Sequence, residues 1–282
     1  MIAITGASGQ LGQLVIEDLL NTIPAEQLVA IVRNPAKVSQ FSARGVQVRA
    51  ASYEDKTALV QALNGVDKLL LISSSEVGQR AVQHRNVIEA AKEAGVKLIA
   101  YTSLLHADSS PLGLADEHVA TEKMLQQSGI PFVLLRNGWY TENYLASVPP
   151  ALQHGAFIGS AGNGRIASAT RADYAAAAAK VLTLENQAGK VYELAGDNGW
   201  TLAELTAELT KQSGTPVVYQ DLPETDFKAA LLGAGLPEGL AAMLANSDSG
   251  AAKGGLFDDS RQLSQLLGRP TTSLEESVRA AL

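Results

Sequence analysis

The chain opens with Met1-Ile2-Ala3-Ile4-Thr5-Gly6-Ala7-Ser8-Gly9-Gln10-Leu11-Gly12, a strand-forming run that ends in a glycine-rich turn, and a helical pattern follows over 15–20. A pyrophosphate binds at a helix N-terminus only when the backbone comes close, because the binding groups are N–H donors and the positive end of the helix dipole. Gly6 would make the turn, Gly9 would admit the phosphates, and Gly12 would let the helix lie against the strand. The spacing GxxGxxG is a variant of the dinucleotide fingerprint, and it predicts cofactor contacts at Gly6, Ala7, Ser8, Gly9, Gln10, Leu11 and Gly12.

The residue after the second strand pattern indicates which dinucleotide binds. The apolar run 28–32 is typical of a parallel strand buried on both faces, and Arg33 follows it. NAD sites usually place Asp or Glu here for the ribose 2′-hydroxyl, whereas a guanidinium suits a 2′-phosphate. Asn34-Pro35 predicts a second helix N-terminus beside Arg33, and Lys37 lies one turn further on. We therefore expect NADPH, held by Arg33 and Lys37; a merely solvated Arg at a strand end is the alternative.

Composition excludes several classes of function. The 282 residues are 46% hydrophobic and 18% charged, as in an ordinary globular protein, and a net charge of -7 without a Lys/Arg cluster argues against a nucleic-acid partner. The absence of cysteine excludes disulfides and thiolate chemistry, and no His, Asp or Glu spacing suggests a metal site. No apolar run reaches membrane-spanning length, so we expect no membrane contact. Because the first strand begins at residue 1, we expect no signal peptide and a cytoplasmic location.

Strand and helix patterns alternate through the first half of the chain. The clearest helix runs from Gln79 to Ala94 and ends at Gly95, and strands are predicted over 1–5, 28–32, 46–50, 67–72, 97–102 and 131–136. This alternation predicts an α/β Rossmann fold, a doubly wound parallel sheet with helices on both faces.

The domain organisation follows from where this alternation stops. Residues 1–150 are predicted to form the NADP-binding domain, and 165–195 to return to it with a helix from Asp173 to Leu184, capped by Asp173, and a strand over 191–194. Residues 196–282 are predicted to form a smaller, mostly helical C-terminal lobe on the substrate side. The polar and glycine-rich stretch 247–255 is predicted to be a mobile loop, and a lid is one use for it.

Several motifs together resemble a known family. Besides the opening turn they are Asn86-Val87-Ile88-Glu89-Ala90-Ala91-Lys92-Glu93-Ala94-Gly95-Val96-Lys97, Ala100-Tyr101-Thr102-Ser103, Ser128-Gly129-Ile130-Pro131-Phe132 and Leu135-Arg136-Asn137-Gly138. Over nearly its whole length the chain resembles the NmrA-like atypical short-chain dehydrogenases. Within that family it is most similar to the bacterial quinone reductases that need no flavin, with the triphenylmethane reductases as cousins. The resemblance implies further NADPH contacts at Ser73, Ser74, Ser75, Asn137, Gly138, Trp139, Tyr140, Thr141, Glu142 and Asn143.

One departure from the wider family bears on the chemistry. Most short-chain dehydrogenases use a Tyr-x-x-x-Lys pair as a proton relay, but alignment on 122–129 puts Leu114 and His118 in those two positions. Interconversion of alcohols and ketones is therefore doubtful. A quinone accepts hydride readily, and the hydroquinone anion can take its proton from water, so a well-held nicotinamide suffices.

Aromatic and amide side chains after the sixth strand suggest an acceptor pocket. Tyr140, Asn143 and Tyr144 would line it together with His106, which follows the fifth strand. The alternative for the aromatic residues, Trp139 included, is a role as core anchors. His118 and Tyr140 are the candidates for a catalytic role; His118 either donates to a quinone oxygen or is a helix-surface residue.

The sequence therefore predicts an NADPH-dependent quinone reductase that transfers hydride directly, with no flavin and no metal. Two alternatives stay open. A regulator that senses the redox state of NADP would keep the fingerprint without turnover, and a carbonyl or dye reductase of the same family would act on another acceptor. The sequence leaves open whether the protein is a monomer or a homodimer.

Overall fold

The computed structural model describes residues 1–282. The strands are β1 Ile2–Ile4, β2 Leu28–Val32, β3 Gln47–Ala50, β4 Lys68–Leu71, β5 Leu98–Leu104, β6 Phe132–Asn137, β7 Ala156–Gly159, β8 Val191–Leu194 and β9 Val218–Asp221. The α-helices are α1 Gln10–Leu20, α2 Ser39–Ser42, α3 Lys56–Ala62, α4 Arg80–Glu93, α5 Ala115–Ser128, α6 Thr141–Leu145, α7 Val148–His154, α8 Arg171–Thr183, α9 Leu202–Ser213, α10 Glu224–Gly233, α11 Glu238–Ala252, α12 Gln262–Leu267 and α13 Leu274–Ala281. None of the helices is both long and apolar enough to cross a bilayer.

Seven strands form one sheet in the order β3-β2-β1-β4-β5-β6-β8, and the pairs from β3 to β6 are parallel. The chain order reverses between β1 and β4, so a crevice opens there beyond the carboxyl ends of the strands. Doubly wound sheets bind their ligands at such a switch point. The predicted Rossmann fold is confirmed, and six predicted strands correspond to β1 to β6.

Burial explains why these segments are strands in a sheet covered on both faces. Every residue of β1, β2 and β5 is buried, as expected for parallel strands. Alternate residues such as Ala3 and Val29 share a core with Leu59 of α3, Val87 of α4 and Leu125 of α5. Helix α8 packs with α1 and against β4 and β5. The sheet is thereby the rigid platform on which the strand-end loops are carried.

The chain divides into two compact units. Unit 1 comprises Met1–Leu104, Asp116–Asn137 and Arg171–Tyr192, and unit 2 comprises Leu105–Ala115, Gly138–Thr170 and Glu193–Leu282. These boundaries differ from the predicted ones at 150 and 196, because the chain passes from unit 1 to unit 2 after Leu104, after Asn137 and after Tyr192. Segments 105–115 and 138–150 therefore belong to unit 2, which is not confined to the C-terminal part of the chain.

Unit 2 contains a second sheet that was not predicted. Strands β7 and β9 pair in parallel, with Ala156 opposite Val218 and Gly159 opposite Asp221. Helix α9 begins with a capping box formed by Thr201 and Glu204 and ends at Gly214, whose φ of 71° is left-handed.

The prediction of a mobile loop over 247–255 is wrong, because helix α11 continues to Ala252. Ser247, Asp248, Gly250 and Ala251 are buried. A Cβ added at Gly250 would lie 2.9 Å from a side-chain carbon of Leu112, so the small residue permits close packing in unit 2. Tertiary packing thus overrides the poor helix propensity of this stretch.

The prediction that Asp173 caps a helix is also wrong, since α8 begins two residues earlier at Arg171. Asp173 lies inside the first turn and is fully buried. The strand predicted over 191–194 is confirmed as β8, and the end of α4 before Gly95, with φ of 76°, is as predicted.

Candidate active site

The glycine turn after β1 is built to bring a helix N-terminus close to a ligand. Gly6 has a left-handed φ of 60°. A Cβ added at Gly12 would lie 2.5 Å from the carbonyl oxygen of Gly6, so only glycine lets α1 approach the turn this closely. Helix α1 starts after Gly9 with no side-chain cap and no acidic residue in its first turn. Its first N–H groups therefore have no acceptor within the helix, and the helix dipole favours an anion there.

Arg33 follows β2 and reaches towards the loop after β4. Its guanidinium lies 3.1 Å from Glu76, and its side chain is 74% exposed. The Asn34 side chain accepts a hydrogen bond from the N–H of Ala36 at 3.0 Å, so the predicted cap is confirmed. The element that it caps is a short 3-10 helix, Pro35–Val38, on which Lys37 is exposed.

The loop after β4 is fixed through its backbone. The N–H of Ser73 donates to Thr102 at 2.8 Å, and the N–H of Ser74 donates to Nε2 of His84 at 2.9 Å. The carbonyl of Ser74 accepts from Arg80 at 2.7 Å. Ser73, Ser74 and Ser75 therefore stand on a rigid support at the carboxyl end of β4.

His84 supports this loop in its neutral form. Burial, reinforced by the charge of Arg80, lowers the pKa of His84 to about 3. Nδ1 lies 2.9 Å from the Thr121 hydroxyl, which itself donates to the carbonyl of Glu117. Nδ1 is therefore the protonated nitrogen, and Nε2 is free to accept from Ser74.

The surface placement considered for His118 is wrong, because its helix α5 turns this residue into the protein, where it is 5% exposed. Nδ1 lies 2.7 Å from the hydroxyl of Tyr101. Burial, together with Arg80 and His84, holds the pKa of His118 well below its usual range, and burial raises the pKa of Tyr101. Tyr101 and His118 are therefore both neutral, and this hydrogen bond joins two uncharged side chains.

A buried ion pair lies at the carboxyl ends of β5 and β6. Glu122 accepts from Arg136 at 3.0 and 2.7 Å, and it also accepts from the hydroxyl of Ser103 at 2.5 Å. Glu122 was not predicted. Its sequence signal is the polar set His118, Thr121 and Glu122, whose helical spacing puts polar residues on the face of α5 that an apolar stripe would normally occupy.

Asn137, the last residue of β6, carries a buried oxygen without a hydrogen-bond partner. The residue is 6% exposed, and its Oδ1 accepts from no group in the protein. A buried acceptor of this kind is normally satisfied by water or a ligand. It therefore marks the end of β6 as a place where an N–H donor of a ligand would be stabilised.

The segment after Asn137 belongs to unit 2. Trp139 is buried, and Tyr140 precedes α6 and pairs through its backbone with Ala169. Thr141 lies 2.8 Å from the hydroxyl of Ser168. Gly138, Glu142 and Asn143 complete this stretch, and the N–H of Asn143 donates to the carbonyl of Tyr140.

Two residues predicted to line the acceptor pocket make their contacts within unit 2. Tyr144 is 6% exposed, and its ring packs edge to face against Trp200 with the ring centroids 5.3 Å apart. Its hydroxyl donates to Asp248 at 3.2 Å. That hydroxyl is therefore already committed. His106 has a left-handed φ of 49°. Its Nε2 lies 3.1 Å from a carboxylate oxygen of Asp258, and its Nδ1 lies 3.7 Å from a carboxylate oxygen of Glu193.

A second glycine-rich segment, 159–164, has three consecutive N–H groups occupied by acceptors of unit 2. Ser160 donates to Asp248 at 3.0 Å, Ala161 donates to the hydroxyl of Tyr219 at 3.0 Å, and Gly162 donates to Asp221 at 2.9 Å. Carboxylates at these donors would also repel a phosphate. The segment is thus a structural turn of unit 2.

Known proteins match the whole chain. The model of the NAD(P)H-binding family matches residues 6–185. Quinone oxidoreductase 2 of Escherichia coli (strain K12) is 71% identical over 278 residues, which cover 99% of this chain and 97% of that protein. The crystal structure of the NADPH-dependent quinone oxidoreductase QOR2 from Escherichia coli, complexed with NADPH, matches with a TM-score of 0.98 and 70% identity over 99% of both chains.

A second solved structure extends the comparison. Triphenylmethane reductase of Citrobacter sp., complexed with NADP(H), matches with a TM-score of 0.96 and 41% identity over 100% of both chains. The predicted resemblance to these reductases is confirmed. With the family model covering more than half of its length, the chain belongs to the NAD(P)H-binding family.

Proposed function

We propose that this protein is an NADPH-dependent quinone reductase that transfers hydride directly to its acceptor without a bound flavin or metal. The observation that carries the proposal is the uncapped N-terminus of α1 behind a turn that only glycines can form. The quinone class comes from quinone oxidoreductase 2, to which the chain is 71% identical. The structural match to the QOR2 complex with NADPH supports the choice of cofactor.

The adenosine half of the cofactor would be held by unit 1. The N–H groups at the start of α1, reached through Gly6, Ala7, Ser8, Gly9, Gln10, Leu11 and Gly12, would bind the pyrophosphate. Arg33 would pair with the 2′-phosphate and Lys37 would add charge from the next turn. The exposure of Arg33 leaves its guanidinium free to reorient onto a ligand.

The nicotinamide half would be held by the strand ends. The fixed loop Ser73–Ser75 would support the ribose side, and the unpartnered Oδ1 of Asn137 would accept from the carboxamide N–H. We propose that the following segment, Gly138, Trp139, Tyr140, Thr141 and Glu142, also contacts the cofactor, as the resemblance implies.

Bound NADPH supplies the hydride, so the chain itself must orient the acceptor and manage one proton. Tyr140 and Asn143 remain our candidates to orient a quinone, and Tyr144 and His106 remain candidates to line the acceptor pocket. The lowered pKa of His118 prevents it from acting as a cationic acid near neutrality, so it could contribute only as a neutral N–H donor. Hydride transfer to a quinone gives a hydroquinone anion, which is far less basic than an alkoxide. We therefore propose that water supplies its proton.

Three further points belong to this proposal. A dye reductase is the second candidate, because triphenylmethane reductase is 41% identical over the full chain. We propose that the protein binds no nucleic acid, in line with its net charge of -7. The cytoplasm remains the proposed location, and we propose no membrane partner. The protein is proposed to act as a monomer or a homodimer.

The test follows NADPH absorbance with the purified, flavin-free protein and a panel of quinones, carbonyls and triphenylmethane dyes. We expect saturable oxidation of NADPH with quinones and no increase on adding flavin. Faster turnover of dyes than of quinones would favour the second candidate. Tight binding of NADPH without turnover of any acceptor would contradict the proposal and support a redox-sensing regulator.

A further inference from the structure

We propose that Glu76 is a specificity-determining residue that limits the preference for NADPH over NADH by competing with the 2′-phosphate for Arg33. The inference rests on the proposed binding of NADPH at this site. It concerns a residue after β4 that neither the fingerprint nor the resemblance marks.

The fold brings Glu76 and Arg33 together across the nucleotide crevice. In the sheet order β3-β2-β1-β4, strands β2 and β4 flank β1. Arg33 directly follows β2, and Glu76 lies in the loop after β4. Their side chains meet at 3.1 Å. The ion pair therefore spans the carboxyl end of β1, from which the glycine turn departs.

The carboxylate is held in place independently of Arg33. Its second oxygen accepts from Nε2 of Gln83 at 2.8 Å, and Gln83 is 4% exposed. The N–H of Glu76 donates to the Ser74 hydroxyl at 3.1 Å, within the loop that His84 and Arg80 fix. Glu76 thus stays where it is when Arg33 turns away.

Arg33 is the mobile partner of the pair. Its side chain is 74% exposed, and its one ion pair is the contact with Glu76 at 3.1 Å. Breaking a surface ion pair of this kind costs little free energy. A 2′-phosphate on Arg33 would therefore take the guanidinium from a carboxylate that remains nearby. Two like-charged groups would share one cation, and their repulsion would weaken binding.

The effect should be selective for one cofactor. The ribose 2′-hydroxyl of NADH carries no charge, so the carboxylate does not repel it. Glu76 therefore lowers the affinity for NADPH and leaves the affinity for NADH nearly unchanged. The preference for NADPH over NADH is reduced as a result.

The experiment measures the dissociation constants of NADP⁺ and NAD⁺ by calorimetry for wild type, Glu76→Gln, Arg33→Ala and the double variant. Glutamine keeps the shape and the acceptor for Gln83 but removes the charge. Glu54→Gln is the control, because it makes the same change of net charge on an exposed residue of the loop after β3. Circular dichroism confirms that each variant is folded.

We expect Glu76→Gln to raise the ratio Kd(NAD⁺)/Kd(NADP⁺) by roughly three- to tenfold at low ionic strength, through tighter NADP⁺ binding. Glu54→Gln should leave the ratio unchanged. In the Arg33→Ala background Glu76→Gln should have a smaller effect, because no guanidinium is left to compete for and only the repulsion between the carboxylate and the phosphate remains. An unchanged or lower ratio in Glu76→Gln, while Arg33→Ala abolishes the preference, overturns this inference alone. Failure of the wild type to bind NADP⁺ overturns both this inference and the proposed function.

Discussion

Two glycine-rich segments of this protein have similar compositions and opposite uses. In Gly6–Gly12 of unit 1, the glycines bring an uncapped helix start close to the turn. In 159–164 of unit 2, three consecutive N–H groups donate to Asp248, Tyr219 and Asp221. A glycine-rich run therefore becomes an anion site only where its donors are uncommitted and no carboxylate lies beside them.

The largest expected effect is that of Gly12→Ala, which would break the first segment. The added Cβ would lie 2.5 Å from the carbonyl oxygen of Gly6, so the turn must shift away from α1. We expect NADP⁺ affinity to fall by roughly a hundredfold or more and the free energy of unfolding to fall by about 2 kcal/mol. Calorimetry and urea unfolding measure the two effects.

The matched control for that variant is Gly239→Ala on α11, where an added Cβ meets nothing within 4 Å. It should bind NADP⁺ as the wild type does and be slightly more stable. Full NADP⁺ affinity in a folded Gly12→Ala variant would show that the close approach is unnecessary.

In the second segment, a substitution is expected to lower stability alone and to leave the affinity for NADP⁺ nearly unchanged. Asp248→Ala would leave the N–H of Ser160 and the hydroxyl of Tyr144 without their acceptor. We expect a loss of about 2 to 4 kcal/mol in the free energy of unfolding, whereas Asp248→Asn, which keeps an acceptor, should lose less than half of that. Both variants should bind NADP⁺ within about threefold of the wild type at a temperature where they are folded, since this segment holds no phosphate.

A drop in NADP⁺ affinity comparable to that of Gly12→Ala would contradict the contrast between the two segments. Equal stabilities of Asp248→Ala and the wild type would show that the carboxylate does not hold the turn.

The smallest effect concerns pH. His84 holds the loop after β4 and Asp248 holds the second glycine-rich segment, and the pKa values of these two residues are shifted in opposite directions. Burial lowers the pKa of His84 to about 3, whereas burial raises the pKa of Asp248 to about 6. Between about pH 6.5 and 3 the unfolded chain binds a proton at His84 that the folded chain does not, so this residue makes stability fall as pH falls. Asp248 acts in the opposite direction below about pH 6.

We expect His84→Gln to reduce the slope of the unfolding free energy against pH by up to about 1.4 kcal/mol per pH unit between pH 5 and 6.5. Urea unfolding at several pH values measures the slope, and His154→Gln, at the end of α7, is the control. Parallel curves for His84→Gln and the wild type would mean that His84 is not kept neutral by the fold.

The sequence predicted unit 1 better than unit 2, for a physical reason. Strands β1 and β2 are continuous apolar runs, and the turn at Gly6–Gly12 has a local pattern that needs no distant partner. Strands β7 and β9 have only four residues each and pair with one another across some sixty residues of chain, so no local signal marks them.

In the candidate site, too, contacts between residues far apart in the chain could not be predicted from local patterns. Arg33 could be found from its position after β2, but its partner Glu76 is defined only by the sheet order. No local pattern indicates the helix through 247–252, because its small and polar residues are stabilised by packing against Leu112 and by hydrogen bonds of Asp248.

The most direct test of the central claim is a titration of ¹⁵N-labelled protein with NADP⁺, followed through the amide resonances of both glycine-rich segments. We predict saturable shifts at Gln10, Leu11 and Gly12, with the signals of Ser160, Ala161 and Gly162 unchanged. Saturable binding that shifts the second group and leaves the first unmoved would contradict the assignment of the pyrophosphate to the start of α1.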